Sequence, residues 1–362
     1  MKWLVLVILS TLPITHCPFS INRQVSSIGL PQPTMGNGEW LMANSVTSDS
    51  SRFPVLFWQG GIETAPALKQ AGVERIAVAP DKSDAWRKAG FEVVPMTEAE
   101  LKARIKLLTP GAGGRPGLAA ATGRPWVDAN GWQFTRNPAG KFYYELPRGR
   151  AALAVAESFA YNGDAVLKID PADLAEAGKM MNFLKSVPRP VGSAETSDLP
   201  LIADIGVVDD GSKLVGEVMN LLSRRNLLFK PVKTASPKLR MNIQLGTKAF
   251  PKAAAADPNE FAQTIRRRLT DEARTLRIYG SEVVIARLTG DGKHVRLHLL
   301  NYGRRGFEGL RIRLRGVFGK GEAYVSGQGK TELTDFEIIG QTTEFSLGRM
   351  NTYAVIDLPA AK

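Results

Sequence analysis

Residues Phe53 to Met96 read FPVLFWQGGIETAPALKQAGVERIAVAPDKSDAWRKAGFEVVPM, and this stretch decides the fold class. Three short apolar runs, FPVLFWQ, ERIAVAP and FEVVPM, alternate with two helix-like segments, ETAPALKQAG and DKSDAWRKAG. Both segments end on glycine, at Gly72 and Gly90, the residue that closes a helix at little steric cost. Short strands separated by helices at this spacing imply parallel βαβ crossovers.

The alternation continues downstream. TEAELKARIKLL (97–108) reads as a helix opened by a capping box of Thr97 and Glu100. RPGLAAA (115–121) and RPWVDAN (124–130) read as extended, and the helix RAALAVAESFA (150–160) leads into the strand AVLKID (165–170). The helix PADLAEAGKMMNFLKSV (171–187), the strand LIADIGVV (201–208), the helix SKLVGEVMNLLSRRN (212–226) and the strands LLFKPV and LRMNIQL follow. Up to eight strands fit between Phe53 and about Leu245. The expected fold is therefore α/β, a (β/α)8-type barrel, complete or incomplete, over residues 52–275, with an open doubly wound sheet as the alternative. The helix DPNEFAQTIRRRLTDEART (257–275) then joins a region of short alternating strands and glycine turns. TGDGK is a hairpin signal there, and residues 276–362 read as a small all-β sandwich.

Upstream, MK followed by WLVLVILSTLPI has the form of a secretory signal over residues 1–17, too short to span a bilayer. Residues 18–51 are polar and turn-rich, a linker or lead-in. The expected location is exported, periplasmic or extracellular. Lipidation of Cys17 is the lesser alternative, because His16 is bulky where a small residue is wanted.

Composition narrows the chemistry. Cys17 is the only cysteine, so a mature chain cut at or beyond it has no disulfide, zinc–thiolate site or cysteine nucleophile. The three histidines are His16, His294 and His298, which excludes a Ser-His-Asp triad or a His-rich metal site from the α/β part. His294 and His298 stand four apart in a strand-like run and read as ordinary sheet residues on one face. No metal and no cofactor is expected. Hydrolytic chemistry would rest on carboxylates, supported by Lys, Tyr, Asn and Arg. Residues 221–320 hold 22 Lys+Arg against 7 Asp+Glu, while the whole chain carries +12. That basic region suits contact with an anionic surface, and in an exported protein nucleic acid is not the expected partner. No pattern specifies an oligomeric state.

The aromatic residues gather in RPWVDANGWQFT (124–135) and KFYYE (141–145). Sugars present apolar C–H faces and a rim of hydroxyls, so flat rings beside Asp, Asn and Lys make a sugar site. Trp126, Trp132, Tyr143 and Tyr144 around Asp128 and Asn130 have that mixture. Asp81 and Asp170 precede helices and suit N-caps, and Pro171 follows Asp170. Any of Asp209, Asp210 and Ser212 could cap the next helix. Asp128 has no helix to cap, because Asn130-Gly131 signals a turn. Glu157 lies on the apolar face of its helix and is expected to pair with Arg or Lys.

A barrel followed by a sandwich resembles exported glycoside hydrolases. VLKID (166–170) is similar to the Lys-x-Asp that ends the nucleophile strand in the clan of α-galactosidases, and DANGWQ (128–133) is similar to an Asp-Asp-Gly-Trp stretch on an earlier strand there. The resemblance implies Asp170 as nucleophile, Lys168 and Asp128 holding hydroxyls, and Asp209 or Asp210 as general acid. The candidate catalytic set is thus Asp170, Asp128 and Asp209. Trp126, Asn130, Trp132, Tyr143, Tyr144, Lys168 and Asp210 are candidates for binding an oligo- or polysaccharide. The first functional expectation is an exported glycosidase, with galactosidase as its specific form. The alternatives are a non-catalytic carbohydrate-binding or cell-surface protein on a degenerate barrel, and a flavodoxin-type accessory sheet domain.

Overall fold

A computed structural model describes residues 53–113, 125–189 and 199–361. The expected signal, the lead-in and RPGLAAA lie outside the described residues. In chain order, the first elements are β1 (Val55–Phe57), α1 (Ala65–Gln70), β2 (Arg75–Val78), α2 (Ser83–Lys88), β3 (Glu92–Pro95), α3 (Glu98–Lys102), β4 (Ile105–Lys106), β5 (Gly111–Gly113) and β6 (Trp126–Asp128). Then come α4 (Gly131–Arg136), β7 (Lys141–Glu145), α5 (Ala151–Ala160), β8 (Asp164–Lys168), α6 (Leu174–Ser186), β9 (Ile205–Val208), α7 (Lys213–Arg224), β10 (Phe229–Val232), β11 (Met241–Ile243) and α8 (Pro258–Leu269).

Six strands form one parallel sheet in the order β3-β2-β1-β8-β7-β4. Counting only its members in chain order, the first strand lies between the second and the last. This is the order of a ring opened between its third and fourth strands. The expected eight-stranded barrel does not close as one sheet, since β9, β10 and β11 make a separate parallel sheet, ordered β10-β9-β11. β5 and β6 pair with each other, antiparallel.

The pleat sorts the side chains of the six-stranded sheet. Leu56, Ile76, Phe142, Tyr144 and Leu167 face the helices in the larger core, with Leu68, Trp86, Ala154 and Met181. Val55, Phe57, Ala77, Tyr143 and Val166 form a second cluster, and Met96 and Leu101 of the β3–β4 connection cover it. The segment 97–108, expected as one helix, is split for this reason. α3 keeps its Thr97–Glu100 capping box but stops after Lys102, and Ile105 and Lys106 pair with Phe142 and Tyr143 of β7. KFYYE is a strand, β7, in that sheet. Asn130-Gly131 is not a turn: α4 begins there, with Asn130 at its N-cap position.

The remaining strands are β12 (Leu276–Tyr279), β13 (Val284–Gly290), β14 (His294–Asn301), β15 (Phe307–Arg315), β16 (Glu322–Val325), β17 (Gly329–Thr331), β18 (Leu333–Ile339), β19 (Thr342–Met350) and β20 (Tyr353–Pro359). They make two antiparallel sheets, β12-β15-β19-β18 and β13-β14-β20-β16-β17. Leu276, Ile312 and Phe345 from the first share a core with Leu288, Leu297 and Ile356 from the second, so the sandwich is formed. The TGDGK hairpin turns at Gly292, φ 87°, with the Asp291 carboxylate accepting from the Lys293 and His294 amides. Ile285, Leu300, Tyr302, Tyr353 and Val355 leave the sandwich core and join the helix-side core of the parallel sheet. Residues 48–362 accordingly form one compact unit.

Candidate functional site

Ligands of parallel α/β sheets bind beyond the carboxyl ends of the strands. In the six-stranded sheet Lys106 ends β4, Glu145 ends β7 and Lys168 ends β8, while Glu98 opens α3 just after β3. The Lys168 ammonium donates to Glu98 at 3.1 Å and stands 3.6 Å from Glu145. Lys106 donates to Glu145 at 2.8 Å, and Lys102 lies 3.3 Å from Glu98. Five groups thus form one chain, Lys102–Glu98–Lys168–Glu145–Lys106. The Lys106 ammonium also sits 5.9 Å from the centre of the Tyr143 ring.

Hydrogen bonds from Lys168 and Lys102 hold Glu98 below the ordinary carboxylate range, and the Lys106 hydrogen bond does the same for Glu145. Glu145 in turn holds Lys106 above the usual lysine value. At neutral pH the cluster therefore offers two acceptor-only carboxylates and three ammonium donors. Of these five residues the sequence reading named only Lys168. The pairs span 39 and 70 positions, and such separations leave no local pattern to read.

The other sequence candidates are dispersed. Asp170 caps the turn that opens at Pro171, accepting from the Ala172 amide at 2.9 Å. Asp128 accepts from the Trp126 indole N–H at 2.9 Å, and the Arg224 guanidinium lies 3.4 Å over the Trp126 ring. Asp209 takes a two-pronged ion pair from Arg136, at 2.9 and 2.7 Å, which lowers its pKa against the opposing effect of burial. Asp210 accepts from the Ser212 amide in a local turn, and Ser212 caps α7 through the Val215 amide. Trp132 packs against the core of the three-stranded sheet, its indole N–H buried and without a partner among the described residues. Tyr143 lies in the covered cluster on one face of the six-stranded sheet, and Tyr144 is fully buried on the other. Asp170, Asp128 and Asp209 thus each serve a neighbour on a different element.

Asn130 and Tyr144 belong to a closed network around Glu157, whose exposure is 0%. One carboxylate oxygen accepts from the Asn130 amide N–H and the Tyr302 hydroxyl, both at 2.6 Å. The other accepts from the Tyr144 hydroxyl at 2.6 Å and the Asn130 side chain at 3.0 Å. The expected Arg or Lys partner is replaced by four neutral donors. Burial raises the Glu157 pKa and the donors oppose the rise. With no exposed surface, this carboxylate serves the fold: it ties α5 to β7, to the start of α4 and, through Tyr302, to the sandwich. His298 is likewise structural, 2.6 Å from the Tyr353 hydroxyl.

Among the described residues no group of three or more His, Cys, Asp or Glu is placed to hold a metal ion. None of their helices is long and apolar enough to cross a membrane.

Neither a protein-family model nor a curated protein matches the chain. Among solved structures it is similar to α-L-fucosidase isoenzyme 2 from Paenibacillus thiaminolyticus, at 9% identity over 78% of this chain and 71% of that one, with a TM-score of 0.48. It is also similar to the β-galactosidase of Rahnella sp. R3, at 9% identity, 80% and 61% coverage and a TM-score of 0.33. A third is the maltogenic α-amylase AmyB of Thermotoga neapolitana, at 8% identity, 86% and 99% coverage and a TM-score of 0.26. These neighbours are glycoside hydrolases. The similarity is weak in each case.

Proposed function

We propose that the protein binds carbohydrate at the strand-end cluster of its opened, glycosidase-like sheet, without cleaving it, and that it does so as an exported protein. The observation that carries this reading is the chain Lys102–Glu98–Lys168–Glu145–Lys106 at the strand ends, in which each carboxylate meets two ammonium groups. Glu98 and Glu145 are held as anions by lysines, which suits them to accept hydrogen bonds from sugar hydroxyls and leaves neither as a proton donor at neutral pH. Asp170, Asp128 and Asp209 are engaged in a cap, an indole hydrogen bond and an ion pair. The apolar run WLVLVILSTLPI supports export.

One observation favours hydrolysis as a second reading. Glu98 and Glu145 lie 3.1 and 3.6 Å from the same ammonium, so their nearer oxygens are no farther apart than those two lengths end to end. That limit admits the ~5–5.5 Å separation of a retaining glycosidase's carboxylate pair. Calorimetric titration with galacto-, fuco- and gluco-oligosaccharides, run beside a panel of aryl glycosides, separates the readings. Binding without turnover is expected, weakened about tenfold or more by Glu145→Gln or Lys168→Ala. Turnover abolished by Glu98→Gln would establish the second reading. Turnover abolished by Asp170→Asn, Asp128→Asn or Asp209→Asn would restore the catalytic roles that the α-galactosidase resemblance implies.

A further inference from the structure

Alternation sorts the residues of β15 and β19. Leu310, Ile312 and Leu314 point into the sandwich core, so Arg311, Arg313 and Arg315 stand on the outer face of that sheet. Phe345 and Leu347 point inward too, which turns Thr342 and Glu344 outward. The register sets Arg313 beside Glu344 and Arg315 beside Thr342, with Ile339 of β18 next to Thr342. The turn 270–273, between α8 and β12, walls one side of this face, and the β18–β19 turn walls the other. Between them lies an open trough of about 510 Å³, floored by Arg313, Arg315, Thr342 and Glu344. The volume lies within the ~300–1,000 Å³ usual for small-molecule sites.

The charges on this floor are fixed and balanced. The half-buried Glu344 carboxylate meets Arg311 at 3.1 Å and Arg313 at 3.4 Å, and Arg313 also donates to the Asp271 carbonyl at 3.4 Å. Within the lining, Arg313 and Arg315 stand against Glu272 and Glu344. That balance favours a neutral ligand over an ion.

Hydrogen-bonding capacity remains open. Among the described residues the Arg315 guanidinium makes one bond, to the Ala273 carbonyl at 3.4 Å, and the exposed Glu272 carboxylate and Gln341 amide make none. Ile339, 55% exposed, adds an apolar flank. Thr270 follows α8 at φ 57°, where glycine is unstrained and a β-branched residue is not, and its hydroxyl stands in the wall. β15 and β19 each pair with a strand on both sides, so the floor has no free backbone edge for an extended peptide. A saccharide needs none. It needs fixed donors, fixed acceptors and an apolar flank for its C–H face.

We propose that this trough is a second carbohydrate site, taking a neutral saccharide. Glu344 and Glu272 accept from its hydroxyls, Arg313, Arg315 and Gln341 donate to them, and Ile339 meets a C–H face. The inference rests on the carbohydrate reading above for its ligand class, while its residues are separate from the strand-end cluster. No lining residue is aromatic, so hydrogen bonds carry the affinity and the loss of one charged group should be felt.

Calorimetric titration of the full chain with galacto-, fuco- and gluco-oligosaccharides tests this, run on the unmodified protein and on Glu145→Gln, in which the strand-end cluster is weakened. At least one oligosaccharide should still bind Glu145→Gln saturably, and about tenfold or more weakly once Arg315→Gln or Glu272→Gln is added. Lys330→Gln removes a charge from the other sheet of the sandwich and should leave that affinity unchanged. Arg315 and Glu272 are exposed, so the variants should fold, and circular dichroism melts check it. Binding that ignores Glu145→Gln but weakens with Arg315→Gln keeps the trough and removes the strand-end reading. Binding to the unmodified chain that ignores both Arg315→Gln and Glu272→Gln overturns the trough and leaves the strand-end reading in place. Equal weakening by Lys330→Gln overturns the trough as well, and no binding by the unmodified chain overturns both.

Discussion

Glu157 shows how far a single side chain can be determined by its surroundings while its sequence context misnames its partners. Its burial was readable from its place on the apolar face of α5. Its partners were not, because Tyr144, Asn130 and Tyr302 come from three other segments, the last of them 145 positions away. Removing the carboxylate strands four donors in a dry core. Glu157→Ala should cost about 3–5 kcal/mol in urea unfolding. The pH dependence has a definite sign. The folded pKa is raised by burial, so the folded state binds the proton more tightly than the unfolded one. The stability contributed by this group is fully present below the unfolded value near 4.5 and is lost as pH rises through the higher folded value. Glu157→Gln, which cannot titrate, should flatten that part of the stability–pH profile. An unchanged slope would mean that the four donors already offset the burial. Asp170 is the contrasting case. Asp-Pro before a helical pattern reads as a cap from sequence alone, and it is one, because capping is settled within three residues.

Elements whose periodicity is local were legible, and elements defined by pairing were not. The first three strands and two helices follow the sequence reading because glycine stops and apolar runs set them independently of the rest. KFYYE went unread as a strand because its rings suggested a ligand site. Its alternation, Phe142 and Tyr144 to one face and Tyr143 to the other, was the available signal. The helix expected over 97–108 failed for a complementary reason. Its second half pairs with the edge of β7, a contact that no propensity in the segment encodes. The reading allowed up to eight strands, whereas the described residues hold nine in two parallel sheets and two more in an antiparallel pair, and which strand pairs with which decides between a ring and two sheets. At the opening between β3 and β4, Leu101 is 1% exposed and packs on Val55, Phe57, Tyr143 and Val166. Leu101→Ala should cost about 2–4 kcal/mol by leaving a cavity there. Chemical denaturation checks the value, and a cost below about 1 kcal/mol would show that the sheet face tolerates an uncovered opening. The strand-end cluster should feel the same substitution, since α3 carries Glu98 and Lys102 as well as Leu101. Weakened oligosaccharide binding in a folded Leu101→Ala variant would tie the cover to the site.

The sandwich and the parallel sheet are joined by more than the chain between them. Phe159 of α5 packs edge-on against Tyr353 of β20, with ring centres 6.5 Å apart, and Phe183 of α6 meets the same ring at 6.3 Å. Arg296, 1% exposed, pairs with Asp357 across β14 and β20, on the sheet face turned away from the sandwich core, and donates to the Pro188 carbonyl after α6. Arg287 donates to the Ala160 carbonyl at the end of α5. An isolated sandwich would expose Ile285, Leu300, Tyr302, Tyr353 and Val355 together, and the parallel sheet would lose the hydroxyl that completes the Glu157 network. The two halves are therefore expected to unfold as one. The chain offers a direct test, because all six tryptophans precede residue 133 and none lies in the sandwich. Trp58, Trp86, Trp126 and Trp132 make fluorescence a reporter of the α/β half, while far-ultraviolet circular dichroism reports both. In urea the two signals should trace one coincident transition. Tyr353→Ala, which removes the ring shared by α5, α6 and β20, should separate the curves, with fluorescence and dichroism midpoints no longer equal. Distinct midpoints in the unmodified chain would mean that the shared core is too weak to couple the halves, and that the sandwich is an independent module.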